Sequence, residues 1–227
     1  MRVRHFSILV LALLVGLTSA LIAQSGTTQS SNTRGGFMLF GGIGLPSGDF
    51  AKADVDFKGS AKQGYFGGAE IMFSVAPNIG IILNGKYLIH KYDDSEIAKQ
   101  IASYPISGLS YTVGSYTAIL PMGGIRLYTM TPIGLFVDGE AGYIFAKSPE
   151  LTVTGPGLSE KVDSQSGNAF AYGASAGIDI GNTIVVGASY IASKPKFDIT
   201  ANLNGAKSTE TIEQPMNVIL IFAGIRF

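Results

Sequence analysis

From Gly35 to the end of the chain, apolar and polar residues alternate with a period of two, segment after segment. This is the signal of a β-strand whose two faces meet different surroundings. The clearest case is Ile133 to Phe145. Ile133, Leu135, Val137, Ala141, Tyr143 and Phe145 share one face with Gly139, while Gly134, Phe136, Asp138, Glu140, Gly142 and Ile144 share the other. A continuous apolar row backed by carboxylates separates two solvents. Seven further segments read similarly, so the expected strands are Gly36–Leu45, Gln63–Ser74, Ile79–Lys91, Tyr111–Tyr128, Ile133–Lys147, Gly167–Ile180, Thr183–Ile199 and Thr211–Phe227. No amphipathic helix of length interrupts them.

The connections add topology. Val75-Ala76-Pro77-Asn78, Thr129-Met130-Thr131-Pro132 and Gly181-Asn182 are tight-turn sequences. The other connections, about residues 46–62, 92–110, 148–166 and 200–210, are long. Short and long alternate strictly, as periplasmic turns and extracellular loops do in outer-membrane barrels. With eight strands, both chain ends then lie on the short-turn side. The expected fold is all-β: an eight-stranded antiparallel up-and-down transmembrane β-barrel, occupying residues 35–227.

Composition supports a wall facing lipid. Charged residues are 14% of the 227, against about 25% in soluble domains, and mean hydropathy is +0.31. Yet the longest apolar run after residue 30 is Val218 to Ile225, far short of the roughly 20 residues a membrane helix needs. There is no cysteine, which excludes a disulfide framework, Cys-based zinc sites and a lipid-modified N-terminal Cys. Net charge is zero, and nothing suggests nucleic-acid binding.

If the apolar rows face lipid, the inward faces carry Glu70, Asn84, Lys86, Arg126, Asp138, Glu140, Asp179 and Arg226. The acids and bases nearly balance. Buried charges persist only when paired and hydrogen-bonded, and eight strands enclose an interior just wide enough for side chains to fill. Glu70, Lys86, Arg126, Asp138, Glu140, Asp179 and Arg226 are therefore expected to form a structural charge network in a packed lumen. The competing reading is an ion or small-solute pathway. Tyr87, Tyr143 and Tyr172 fall on outward faces about 20–25 Å from the short turns, where an aromatic girdle belongs.

Arg2, Arg4 and His5, then the apolar Phe6 to Leu17, then small residues ending at Ala20 or Ala23, form a secretory signal peptide pattern over residues 1–23. An uncleaved anchor is the alternative. Residues 24–34 read as a flexible polar lead-in. At the other end, Ile219, Ile221, Ala223, Ile225 and Phe227 alternate up to a C-terminal Phe. Ile225 and Phe227 resemble the C-terminal signal by which the barrel assembly machinery recognises its substrates.

Residues 35–227 resemble the OmpA/OmpX-type small outer-membrane barrels, the opening stretch Gly41-Gly42-Ile43-Gly44-Leu45-Pro46-Ser47-Gly48-Asp49-Phe50 looking like the first strand and loop of that β-barrel domain. The resemblance is one of pattern. It implies a fold and an outer-membrane location, not a molecular activity.

Candidate chemistry is thin. Apart from His5 the only histidine is His90, expected at the loop-side rim near Asp93 and Asp94. Nothing fixes a triad with it, so a rim enzyme is the weaker reading. Asp93 and Asp94 lack the spacing of a calcium loop. Asp93 and Glu96 have capping-box spacing, predicting a short helix over Ile97 to Ile101. No cofactor or metal is expected. The loops are more promising. Lys196 to Leu203 alternates before Asn204-Gly205, and Leu151-Thr152-Val153-Thr154 precedes Gly155-Pro156-Gly157. Both predict protruding hairpins whose edges can bind a partner by strand addition. The expected function is a non-enzymatic outer-membrane barrel acting in envelope structure or surface interaction, its partners being outer-membrane lipid, the assembly machinery and an extracellular ligand at the loops. A soluble periplasmic barrel holding a hydrophobic ligand would need an apolar interior.

Overall fold

The computed structural model describes residues 35–52, 59–95, 97–99, 108–156, 158–203 and 206–227. The signal peptide over 1–23, the lead-in over 24–34, Glu96 and the Asn204-Gly205 turn lie outside the described residues. The strands are β1 (Gly36–Ser47), β2 (Ala61–Ala76), β3 (Ile79–Tyr92), β4 (Ser110–Val113), β5 (Ser115–Tyr128), β6 (Ile133–Lys147), β7 (Leu151–Gly155), β8 (Leu158–Val162), β9 (Ser166–Ile180), β10 (Ile184–Ser193), β11 (Lys196–Leu203), β12 (Ala206–Glu213) and β13 (Asn217–Arg226).

Eight of them close into an antiparallel barrel in the order β1-β2-β3-β5-β6-β9-β10-β13. Closure comes from β13, which pairs with β10 on one side and β1 on the other. The closed ladder leaves the barrel without a free sheet edge, the condition lipid imposes on strands. The alternation read in the sequence sets the faces. Leu83, Ile119, Leu135, Tyr143 and Ile221 point outward with large exposed apolar surfaces, while their strand neighbours are buried in the lumen. Among the described residues no helix is long and apolar enough to cross a membrane, which says nothing of a β-barrel.

The short turns follow their chemistry. Gly181 and Asn182 both have φ of 61°, the paired left-handed conformation of a type I′ turn, and Thr183 N–H closes it on the Ile180 carbonyl at 3.2 Å. Pro77 and Asn78 turn β2 into β3.

Three expected segments are longer than the barrel strands they contain. Tyr111–Tyr128 breaks at Gly114, whose N–H donates to the Glu150 carbonyl at 2.8 Å. Beyond that point β3 has ended, and β4 pairs instead with β7. Together β4, β7 and β8 make a separate three-stranded sheet. Thr183–Ile199 and Thr211–Phe227 break at Lys194-Pro195 and Gln214-Pro215-Met216, because proline has no N–H for the ladder. The Pro195 carbonyl still accepts from Gln214 N–H at 2.9 Å, and the Ser193 carbonyl from Met216 N–H at 2.9 Å. The β11–β12 hairpin is thereby tethered to the barrel end. Within the barrel, Pro121 stands opposite Gly85. Beside it the β5–β6 ladder skips from Ile119↔Phe145 to Met122↔Gly142.

Candidate functional site

Two regions carry polar chemistry: the lumen, and the long-loop end of the barrel. In the lumen, Glu70, Lys86, Arg126, Asp138, Glu140, Asp179 and Arg226 are all buried. Arg126, 2% exposed, is the hub. Its Nε and Nη2 donate to Asp138 at 2.7 Å each, and its Nη1 and Nη2 donate to Glu70 at 2.7 and 3.1 Å. Its guanidinium carbon also lies 4.4 Å from the centre of the Phe136 ring. Lys86 Nζ donates to Glu140 at 2.5 Å and to Asn84 Oδ1 at 2.7 Å. Asn84 and Ser175 donate to the same Glu140 carboxylate at 3.0 and 2.8 Å. Arg226 pairs with Asp179.

Three of these ion pairs fasten strands that are not neighbours. Glu70 on β2 and Arg126 on β5 meet across β3, Lys86 on β3 and Glu140 on β6 across β5, and Asp179 on β9 and Arg226 on β13 across β10. Toward the long loops the lumen turns apolar. Phe40 packs on Phe66 and Phe222 at 6.1 and 5.8 Å between ring centres, and Leu88, Leu120, Ile144 and Leu220 are buried nearby. The sequence reading stressed the charges and passed over this apolar half. Between the two halves, lined by Glu70, Lys86, Arg126, Asp138, Glu140, Phe40 and Phe66 among others, remains a cavity of about 10 Å³, room for about one water.

The long-loop end is stoppered. The 3-10 turn Gly48–Phe50 drives Phe50 into the mouth, where it is fully buried. Its ring meets Tyr116 at 5.2 Å and His90 at 5.6 Å, both edge to face. Tyr116 Oη donates to the Gly59 carbonyl at 2.8 Å, and Gly59 N–H donates to Gln214 Oε1 at 2.8 Å. Gly59 has φ of 81°, and a Cβ there would lie 2.0 Å from the Asp49 carbonyl oxygen, so only glycine fits. Tyr116→Phe is expected to lower stability by about 1 kcal/mol, read as a shift of the urea midpoint of the folded barrel.

His90 is therefore not a rim residue beside Asp93 and Asp94. It is 1% exposed, inside the lumen beneath Phe50. Its Nδ1–H donates to the Lys62 carbonyl at 3.1 Å. Gly44 and Gly64 leave room for its ring, since a Cβ at either would lie 2.8 Å from it. The period of two placed His90 inward, but only the packing of Phe50 over the mouth removes it from solvent. Asp93 and Asp94 face Lys62 instead, at 3.1 and 4.0 Å. Asp93 Oδ1 also accepts from Ser95 N–H at 3.1 Å; hydrogen bonding from the Ser95 side chain above all, then from this N–H and from Lys62, holds its carboxyl below the usual carboxylate range. Residues 97–99 are helical, within the loop helix predicted over Ile97 to Ile101, and Ser95 before them is helical too; residues 100 and 101 lie outside the described residues. Among the described residues no group of three His, Asp or Glu side chains is placed to hold a metal ion.

Beyond the mouth stand two β-structures. The β11–β12 hairpin is held by the Lys196–Glu213 pair at 2.8 Å and by Thr211 Oγ1 donating to Asp198 at 2.7 Å. Phe197 anchors its base, buried against Gly167. The β4–β7–β8 sheet contains the second predicted hairpin, Gly155 facing Leu158 across its turn. At the opposite end of the barrel, Ile225 and Phe227 both point outward from the wall. The Phe227 ring lies 6.5 Å from that of Phe37, and its N–H bonds the Phe37 carbonyl at 2.8 Å.

No family model matches the chain, and no curated protein matches it. Solved structures do. A major outer membrane protein of Thermus thermophilus is similar over 85% of this chain and 99% of its own, with TM-score 0.50 and 12% identity. Ail, the attachment invasion locus protein of Yersinia pestis, covers 85% and 99%, with TM-score 0.49 and 16% identity. OprG of Pseudomonas aeruginosa covers 86% and 97%, with TM-score 0.45 and 13% identity. Identity this low speaks for the fold and leaves activity open. With its closed wall, outward apolar band and charged interior, the chain has the fold of the small eight-stranded barrels of the bacterial outer membrane.

Proposed function

We propose that this protein is a non-enzymatic outer-membrane barrel that acts at the cell surface through its protruding β-structures, the barrel serving as their rigid mount. The observation that carries the reading is the contrast between the two ends. Paired charges and phenylalanines pack the lumen around a cavity of about 10 Å³ among the described residues, while the long-loop end spends thirty residues in β4, β7, β8, β11 and β12. Chain invested in ordered strands outside the membrane, with outer edges of β4 and β12 that pair with no other described strand, suits recognition by strand addition. A solute channel would need a continuous polar path, and the apolar ring of Phe40, Phe66 and Phe222 interrupts one.

In the same reading residues 1–23 export the chain, and Ile225 and Phe227 present it to the assembly machinery. Glu70, Lys86, Arg126, Asp138, Glu140, Asp179 and Arg226 act as internal struts.

The test uses cells displaying the full chain and cells displaying a variant with residues 196–213 replaced by a two-residue Asn-Gly turn. Attachment to protein-coated surfaces is expected to fall several-fold in the variant at equal surface levels. Equal attachment would refute the surface role. Discrete conductance steps from the purified full chain in a planar bilayer would favour the channel instead.

A further inference from the structure

The outer wall carries a groove of about 380 Å³ across β3, β5, β6 and β9. Register defines two rows in it. Tyr87, Ile119, Phe145 and Asn168 stand side by side on successive strands, and Ile89, Thr117, Lys147 and Ser166 form the next row toward the long loops. The lower row is apolar except at Asn168; the upper row ends in hydroxyls and an ammonium. The groove sits directly above the place where the β5–β6 ladder skips past Pro121.

Several lysines at the same end are paired with acids, while Lys194 beside Pro195 is not, among the described residues. Lys62, Lys161 and Lys196 each sit within 3.3 Å of a carboxylate. Lys147 forms no ion pair among the described residues, and neither does Lys91, which lies opposite Ser115 one strand away. Two lysines without an ion partner among the described residues thus flank the top of β5 at the height where the wall changes from apolar to polar. Thr117 and Ser166 stand between and beside them as further donors.

We propose that this groove binds an anionic membrane lipid of the outer leaflet, its phosphate held by Lys147, Lys91, Thr117 and Ser166 and its first chain carbons lying on Ile119, Phe145 and Tyr87. A lysine at a membrane surface favours an anionic headgroup about fivefold over a neutral one. Tyr87 and Phe145 in the lower row match the interface position where such rings settle. The occupant is a lipid and not a free anion, because half of the groove is apolar wall that phosphate alone would leave uncovered.

The chain contains no tryptophan, so Tyr87→Trp in the full barrel provides a single fluorescent reporter inside the groove. The barrel is reconstituted in phosphatidylcholine bilayers, and quenching by brominated phosphatidylglycerol is compared with quenching by brominated phosphatidylcholine. The anionic lipid is expected to be preferred about fivefold or more, and Lys91→Gln with Lys147→Gln should bring the ratio close to one while the heat-shifted gel band shows the barrel still folded. A ratio near one before the lysines are changed overturns the proposal. So does a preference that survives both substitutions, or one abolished by excess inorganic phosphate at constant ionic strength.

Discussion

Arg126→Met is expected to lower the stability of the folded barrel by about 3–5 kcal/mol, the cost of leaving buried charge without its partner. Arg126 donates four hydrogen bonds to two carboxylates, Glu70 and Asp138. Those carboxylates sit on β2 and β6, and both are buried. Methionine fills much of the volume but donates nothing. Two acids then face each other in a lumen with space for about one water. Adding Glu70→Gln and Asp138→Asn to Arg126→Met should recover most of the loss, since the amides carry no charge and can bond one another. The measurement is the urea midpoint of unfolding in lipid vesicles, followed by the gel mobility of unheated samples. A loss under about 1 kcal/mol in the single variant would mean that the lumen behaves as a wet, well-screened space, and the struts would lose their role.

The second large effect concerns the opposite face. Leu83 is 51% exposed on the outer wall, four residues along β3 from its short-turn end at Ile79. At about 3.3 Å per residue and a tilt near 40°, this is close to the middle of an apolar band about 25 Å tall. Leu83→Arg is expected to cost about 2–4 kcal/mol in phospholipid vesicles. Ile79→Arg, at the band's edge, should cost at most about 1 kcal/mol. On a wall facing water, both substitutions would stay within about 0.5 kcal/mol. The difference between the two positions, read from the same urea titrations, therefore reports burial in lipid and not general damage to the strand. Equal costs would place the membrane elsewhere on the wall.

Much of this architecture was legible before any coordinates. A period of two is a local property, so each strand declares its own faces. Glu70, Arg126 and Asp138 could be read as inward from their immediate neighbours alone. Turn chemistry is local too, which is why Gly181-Asn182 and Pro77-Asn78 marked the strand ends. Pairing is not local. Glu70 lies 56 residues from Arg126, and Asp179 lies 47 from Arg226. Which acid meets which base depends on the stagger of strands around a closed barrel, a quantity no single segment contains. The same holds where periodicity stops. Nothing in Gly48-Asp49-Phe50 announces that Phe50 turns back into the mouth and covers His90. Nothing in Ser110 to Val113 announces a partner 40 residues away in β7. Alternation continues through Tyr111 to Val113 but names no partner, so the placement of these segments is decided by what remains to be paired or filled once the barrel has closed. Sequence alone determined the eight barrel segments, their faces and the charged, near-balanced character of the interior. Tertiary closure decided the ion pairs, the stopper and the outer sheet, because each joins segments whose only connection is through space.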